Sequence, residues 1–159
     1  MSFKNGQTRA LIFFLASLVM ANIGTGSLAA FGPHAVQENS PGIQFITADE
    51  LKGKLAKNEP VVVIDVRATS GLLDSDNKIK GAIHVKLRRL KSRLSFPPLK
   101  DVPRNREVIT YCACPNDESA VRAAQVLSET GFTRVRVLKG GWVIWKKANG
   151  QVEPMARGI

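Results

Sequence analysis

The chain has 159 residues, of which 44% are hydrophobic and 23% are charged. This length suits one domain, and the composition is that of a globular protein and excludes a disordered or collagen-like chain. Lysine and arginine outnumber aspartate and glutamate by 23 to 13, which gives a net charge of +10. Such an excess favours encounters with anions in general, such as sulfur oxyanions, phosphates, lipid headgroups or nucleic acid.

The N-terminal segment has the order of a secretory signal. Residues 1–36 contain no acidic side chain, and two basic residues precede the apolar run 10–21, after which small and polar residues enter. This pattern predicts cleavage after Ala21 or after Ala29. An uncleaved membrane anchor is the alternative, because the uncharged stretch is long enough to cross a bilayer. We therefore expect residues 1–29 to direct export to the periplasm or cell envelope, with membrane attachment if they are not removed.

The first folded elements follow a linker. Residues 30–43 contain Pro, Gly, Asn and Ser, which indicates an irregular segment. Thr47 and Glu50 fit a capping box, in which the threonine caps a helix and the glutamate reaches back to it. The helix is predicted to run to about Lys57. The run 61–64 is apolar at every position, as expected of a strand in the middle of a parallel sheet.

The remainder of the chain alternates strand and helix patterns. The predicted strands are residues 82–85, 108–111 and 135–138, the predicted helices are 87–94, 119–130 and 142–147, and 71–80 is a polar loop. Strands that alternate with helices predict an α/β fold with a central, mostly parallel sheet flanked by helices. We place this single domain at residues 44–153 and a short tail at 154–159.

The two cysteines, Cys112 and Cys114, are separated by one residue. A disulfide between them would close a small, strained and easily reduced ring, so a role in stability is unfavourable. Cys112 directly follows the strand 108–111, and a helix is predicted to begin at Ser119. Such a junction points backbone N–H groups and the helix dipole at the loop, which favours a thiolate. A thiolate can attack a sulfane sulfur and hold it as a persulfide.

Three blocks in this order resemble the rhodanese homology domain over roughly residues 44–153. They are 63–67 (VIDVR), 78–83 (KIKGAI) and the segment from 108–112 (VITYC) to the motif Leu138-Lys139-Gly140-Gly141-Trp142 and Trp145. The resemblance implies a small α/β domain whose active members carry a nucleophilic cysteine at the end of a central strand. It implies sulfur transfer without a metal or a cofactor.

The resemblance leaves the choice of nucleophile open. Counting forward from the strand selects Cys112, which we take as the first candidate. Counting back from the following helix selects Cys114, because the loop is longer than is usual in the family. Cys114 could instead be a resolving thiol or a second persulfide carrier, and either cysteine could be a small buried hydrophobe. The other residues of the predicted active-site loop are Ala113, Pro115, Asn116, Asp117, Glu118 and Ser119.

Two further groups of charged residues could serve the site or only the fold. Asp65 and Arg67 are predicted to support the cysteine loop as an ion pair, or to form an ordinary pair at a strand end. The basic cluster is either an anion-steering rim or the solvated face of a helix; its members are Lys86, Arg88, Arg89, Lys91 and Arg93.

The loop departs from active relatives because it carries Asp117 and Glu118 and no basic side chain. Carboxylates beside a cysteine raise its pKa and repel thiosulfate. Both residues also suit the start of a helix, where we expect them to cap it. The leading hypothesis is an exported sulfurtransferase that uses thiosulfate or another sulfane-sulfur donor.

Two alternatives to sulfur transfer stay open at this point. The first is a catalytically weak binding module built on the same fold, and the second is a thiol–disulfide redox protein that uses the Cys-x-Cys pair. The expected partner is a small sulfur-containing anion or a protein thiol acceptor. Nucleic acid is not expected, since stacking aromatic residues do not accompany the positive charge.

Overall fold

The computed structural model describes residues 42–68 and 76–155. The predicted signal segment, most of the predicted linker, much of the predicted loop 71–80 and most of the predicted tail lie outside these residues. Across the two described ranges, no helix has both the length and the hydropathy that crossing a membrane requires.

Strands and helices alternate along the described residues. The strands are β1 (Gln44–Ile46), β2 (Val61–Asp65), β3 (Asn77–Ile79), β4 (Ile83–His84), β5 (Glu107–Tyr111), β6 (Arg134–Leu138) and β7 (Val152–Pro154). The α-helices are α1 (Ala48–Ala56), α2 (Leu90–Arg93), α3 (Glu118–Glu129) and α4 (Gly141–Lys147). Two short 3₁₀ turns, Leu87–Arg89 and Leu99–Asp101, lie between β4 and β5.

Five strands form one parallel sheet in the order β1-β6-β5-β2-β4. In its centre, β2 and β5 pair over their full lengths, with Val63 opposite Ile109. The predicted α/β fold with a central parallel sheet is therefore confirmed. The sequence did not predict β1, nor the separate antiparallel pair of β3 and β7, in which Ile79 lies opposite Val152.

The apolar runs of the central strands contribute to both faces of the sheet. Val108 and Ile64 belong to one buried cluster together with residues of α2 and α3. Ile109 and Val63 belong to a second buried cluster together with residues of α1 and α4. Successive side chains of a strand point to opposite faces, so a strand with helices on both sides has to be apolar at every position.

The start of α1 agrees only in part with the predicted capping box. The Thr47 hydroxyl accepts a hydrogen bond from the Glu50 backbone N–H at 3.2 Å, as predicted. The Glu50 carboxylate instead accepts two hydrogen bonds from the Arg136 guanidinium, at 2.6 and 3.1 Å. Because Arg136 lies on β6, this pair joins α1 to the sheet.

The predicted helix 87–94 is divided into a 3₁₀ turn and the four-residue helix α2. Leu90 and Leu94 are buried, as the leucine spacing indicates. Four of the basic side chains of the segment 87–94 face solvent, which is the arrangement of a solvated helix face; they are Arg88, Arg89, Lys91 and Arg93.

Candidate active site

Both cysteines lie between the buried strand β5 and helix α3, at the carboxyl edge of the parallel sheet. The Thr110 hydroxyl donates a hydrogen bond to the Ala120 carbonyl at 2.9 Å, which fixes the first turn of α3 against β5. The segment 112–117 therefore has to turn sharply. Asp117, at the residue before α3, takes a left-handed conformation with φ of 55°.

Cys112 lies beneath this loop, with 1% of its surface exposed, in the same buried apolar cluster as α3. Its sulfur accepts a hydrogen bond from the Cys114 backbone N–H at 3.3 Å, and the N–H of Ala120 also faces it. These donors favour a thiolate, but burial opposes it more strongly. Burial raises the pKa of the Cys112 thiol to about 12, so this side chain is a neutral thiol at physiological pH.

Cys114 is only partly buried, and its sulfur lies 3.2 Å from the Ser119 hydroxyl oxygen. Burial opposes ionisation here as well. Hydrogen bonds from the Ser119 hydroxyl, from the Cys112 thiol and from the Ser119 backbone N–H outweigh it, so the pKa of Cys114 is lowered. The two cysteines thus differ in the two properties that govern thiol reactivity, which are exposure and thiolate content.

Asp117 does not cap α3 with its side chain, so that part of the prediction is wrong. The carboxylate turns away from the helix, and its Oδ2 accepts a hydrogen bond from the Gly140 backbone N–H at 2.7 Å. Its Oδ1 is buried without a hydrogen-bond partner among the described residues. Burial raises the pKa of Asp117 despite the Gly140 donor. Glu118 occupies the first turn of α3, as predicted.

The start of α4 holds the other side of the cysteine loop. The Trp142 backbone N–H donates a hydrogen bond to the Cys112 carbonyl at 2.8 Å. Gly141 approaches the same carbonyl so closely that a Cβ atom there would lie 2.1 Å from the oxygen. Its φ of +45° also disfavours other residues. The double glycine, which the sequence analysis treated as part of a family motif, thus allows β6 and α4 to pack against the cysteine loop.

Asp65 and Arg67 form the predicted ion pair, fully buried at the carboxyl end of β2. The Arg67 backbone N–H and Nε donate to Asp65 Oδ1 at 3.0 and 2.9 Å. Arg67 Nη2 and the Tyr111 hydroxyl donate to Oδ2 at 2.6 and 2.9 Å. Burial opposes ionisation of Asp65, whereas nearby His84 and the Arg67 guanidinium favour it. The balance lowers the pKa of Asp65 to about 2.

This ion pair touches the cysteine loop through Trp142. The Arg67 guanidinium carbon lies 4.3 Å from the Trp142 ring centre and 5.5 Å from that of Tyr111. Trp142 in turn holds the Cys112 carbonyl through its backbone N–H. The ion pair therefore contacts the cysteine loop indirectly, through Trp142. The sequence did not predict the contacts of the Tyr111 hydroxyl and of the Trp142 backbone, although Tyr111 directly precedes Cys112 in the family-like block.

The exposed part of the loop is short, polar and without positive charge. Its exposed residues are Ala113, Pro115, Asn116 and Glu118. The partly buried Cys114 and Ser119 lie among them. The arrangement supplies a nucleophilic thiol, backbone N–H donors around sulfur and a hydroxyl at hydrogen-bond distance. These are the groups that an attack on a polarised sulfur needs.

Comparison with known proteins identifies the family. The model of the rhodanese-like domain matches residues 47–148. The chain belongs to the rhodanese-like domain family. The matched segment begins at the cap of α1 and ends after α4, so it contains the parallel strands β2, β4, β5 and β6 and the whole cysteine loop.

Individual relatives agree with this assignment. A sulfurtransferase of Allochromatium vinosum is 26% identical over 105 residues, which cover 66% of this chain and 90% of that protein. The rhodanese-like domain of the Alr3790 protein from Anabaena is 29% identical with a TM-score of 0.59, over 72% of this chain and 86% of that one. The BH2092 protein of Bacillus halodurans is 28% identical with a TM-score of 0.59, over 70% and 77%.

Proposed function

We propose that this rhodanese-like protein is a sulfurtransferase that carries sulfur as a persulfide on a cysteine of the loop between β5 and α3. The observation that carries the proposal is the pair of thiols at the carboxyl edge of the sheet, where backbone N–H groups and Ser119 face the two sulfur atoms. The similarity to the Allochromatium sulfurtransferase supports the same reaction class.

The reaction has two displacement steps. The cysteine thiolate attacks the outer, sulfane sulfur of thiosulfate, the bond between the two sulfur atoms of thiosulfate breaks, and sulfite leaves with the electron pair. The enzyme then carries a persulfide. In the second step an acceptor thiolate attacks the outer sulfur of the persulfide, and the enzyme cysteine leaves as a thiolate, ready for another cycle. Neither step requires a metal or an external oxidant.

The charge around the loop bears on the choice of donor. The loop has no basic side chain, and Glu118 disfavours the charge on Cys114. A doubly charged donor such as thiosulfate is therefore bound weakly there. We propose that a donor of lower charge density, such as an inorganic polysulfide or the persulfide of another protein, loads the enzyme faster than thiosulfate does. A small thiol or a protein thiol serves as acceptor.

Intact-mass spectrometry of the purified full chain tests the proposal. The reduced protein is incubated with thiosulfate or with inorganic polysulfide, and excess donor is removed before the measurement. We expect a mass increase of one sulfur atom that a dithiol reductant removes. The double variant Cys112→Ser and Cys114→Ser is the matched control and should gain no sulfur. A wild-type chain that stays unmodified with both donors contradicts the proposal.

We further propose that the protein acts in the cell envelope. The basic, apolar and small-residue order of residues 1–29 supports export. Fractionation of cells that express the full-length chain, with the mass of the recovered protein, tests this. Recovery from the periplasm without these residues fits a cleaved signal, and recovery from the membrane at full mass fits an anchor. Recovery of the intact chain from the cytoplasm contradicts export.

A catalytically weak binding module is the second candidate. The observation that favours it is the combination of a neutral, buried Cys112 with a loop surface that lacks any basic group to hold an anion. This candidate predicts that the double serine variant keeps the full biological activity of the protein. Loss of that activity in the variant, with an unchanged unfolding midpoint, excludes it.

A further inference from the structure

We infer that Cys114, rather than Cys112, is the sulfur-accepting nucleophile, and that the buried Cys112 thiol is a positioning residue that donates a hydrogen bond to the Cys114 sulfur. This inference rests on the proposed sulfurtransferase function. It reverses the order of the two cysteines predicted from their distance to the strand.

Access to solvent is the first argument. Cys112 is 1% exposed and packs in an apolar cluster with residues such as Ile64, Val66 and Ala123. An anionic donor has to lose its hydration to reach a sulfur in these surroundings, which is costly. Cys114 lies between exposed residues of the loop and is itself only partly buried. Although Cys114 also packs against the cluster that contains Cys112, it is the more accessible of the two cysteines.

The fixed position of Cys112 is the second argument. Its carbonyl is held by the Trp142 N–H at 2.8 Å, and Gly141 packs against the same oxygen. The Cys112 backbone therefore cannot swing outward without breaking the contact between the loop and α4. An added sulfur atom on Cys112 would also have to fit into a packed core, and overfilling a core is unfavourable.

The pattern of hydrogen bonds is the third argument. The Cys114 sulfur lies 3.2 Å from the Ser119 hydroxyl oxygen. Once Cys114 is ionised, this hydroxyl, the Ser119 backbone N–H and the Cys112 thiol can donate to its sulfur. The Cys112 sulfur accepts a hydrogen bond from the Cys114 backbone N–H at 3.3 Å. Burial raises the pKa of Cys112, so this thiol keeps its proton. A neutral thiol beside a thiolate can donate to it, whereas two neighbouring thiolates would repel each other.

In the resulting scheme the bond changes are confined to Cys114. Its thiolate attacks the outer sulfur of the donor, the donor leaving group departs with the electron pair, and the persulfide forms on Cys114. The Cys112 S–H remains a hydrogen-bond donor to that sulfur throughout. When an acceptor thiolate removes the outer sulfur, Cys114 leaves as a thiolate, and the same S–H stabilises its returning charge.

Single variants of the full chain separate the two roles. Cys114→Ser should take up no sulfur from inorganic polysulfide. Cys112→Ser should be loaded with sulfur within a few-fold of the wild-type rate, because the serine hydroxyl can also donate a hydrogen bond to the Cys114 sulfur. Cys112→Ala lacks the donor, and we expect its loading at neutral pH to be slower by roughly three- to tenfold, as for loss of one typical hydrogen bond, because a thiol is a weak donor.

The pH dependence of thiol alkylation provides a readout that a purely structural role would not change. The midpoint for alkylation of Cys114 by iodoacetamide should stay near the wild-type value in Cys112→Ser and should rise in Cys112→Ala. A loaded Cys114→Ser variant together with an unloaded Cys112→Ser variant overturns the assignment of the nucleophile. Equal midpoints in the serine and alanine variants overturn the donor role of Cys112.

The same measurements distinguish this inference from the proposed function. If the wild-type chain takes up no sulfur from any donor, the sulfurtransferase proposal fails. The alkylation profile still decides the order of the thiols in that case. Alkylation of Cys114 before Cys112 in the wild-type chain supports the assignment, and alkylation of Cys112 first overturns it.

Discussion

Asp65 and Glu107 are buried carboxylates at opposite ends of the paired strands β2 and β5. At the carboxyl edge, the main charged partner of Asp65 is one guanidinium, that of the buried Arg67, with His84 Nδ1 at 3.6 Å from the carboxylate. At the amino edge, Glu107 is shared by Lys54, Arg134 and Arg136, at 3.1 to 3.4 Å. These cations are more exposed than Arg67, and two of them also pair with other glutamates.

The difference predicts that the amino edge of the sheet serves stability alone, whereas the carboxyl edge also supports the proposed active site. At the amino edge each charged group has more than one partner of opposite charge or is largely exposed. The loss of one ion pair there should therefore have a small and local effect on stability. At the carboxyl edge a single ion pair touches Trp142, whose backbone holds the cysteine loop. Substitutions at this ion pair should change both the sulfur loading of the thiols and the stability of the fold.

The largest expected effect is that of Arg67→Met. It leaves the carboxylate of Asp65 buried without its main partner, which should lower the free energy of unfolding by about 3–5 kcal/mol. Sulfur loading should also fall, because Trp142 loses the group that packs on its ring. Urea unfolding and intact-mass spectrometry measure the two effects. Arg134→Met, at an exposed position of the amino edge, is the matched control and should cost less than about 1 kcal/mol.

Gly141→Ala tests the contact between the loop and α4 directly. The added Cβ would clash with the Cys112 carbonyl, and we expect a loss of about 2–3 kcal/mol, as for overfilled cores. Gly81→Ala is the control, since Gly81 also has a positive φ, of 76°, but no atom near the added Cβ. Equal losses of stability in the two variants would show that the conformation, and not the contact with Cys112, governs both positions.

Acidic pH should lower the stability of the protein by protonating Asp65 at the carboxyl edge of the sheet. The pKa of Asp65 is lowered from 3.8 to about 2, so its contribution to stability is present above about pH 4 and is lost as the pH falls toward 2. At about 1.4 kcal/mol for each pKa unit, the loss is on the order of 2 kcal/mol. Urea unfolding midpoints between pH 5 and pH 2 and the NMR titration of the Asp65 carboxyl carbon measure it. A titration midpoint near 4 would contradict the strength assigned to the ion pair.

Glu107→Gln should have the smallest effect. Lys54 and Arg136 keep Glu59 and Glu50 as partners, at 3.0 and 2.6 Å. We therefore expect a loss of about 1 kcal/mol in the free energy of unfolding, in the range of partly exposed ion pairs. The rate of sulfur loading should stay at the wild-type value. A loading rate that falls with Glu107→Gln would remove the distinction between the two edges of the sheet.

The sequence predicts those parts of the fold whose pattern is local and strong. The apolar run at the start of β2 and the strand before Cys112 needed no knowledge of their neighbours, because a central parallel strand is apolar on both faces. Strands β1, β3 and β7 have three residues each, and their hydrogen bonds come from partners distant in sequence. The residues within these segments did not indicate those partners.

The candidate site was predictable in position but not in detail. The resemblance placed the thiols after β5 and paired Asp65 with Arg67. It could not indicate that Cys112 is buried while Cys114 is partly exposed, because burial depends on how the loop packs against α3 and its neighbours. The hydrogen bond from the Gly140 backbone N–H to the Asp117 carboxylate could not be predicted from the sequence either. An aspartate before a helix is typical of a cap, and only the approach of α4 gives it another partner.

The hydrogen bonds that close the cysteine loop come from residues that the ribosome adds after it. The donors Gly140 and Trp142 follow the whole of α3 and β6 in the chain. A nascent chain therefore exposes its two thiols before the groups that fix the loop have been synthesised. During this interval the backbone donors that fix the cysteine loop are not yet in place. The loop reaches its native geometry only when α4 has been made.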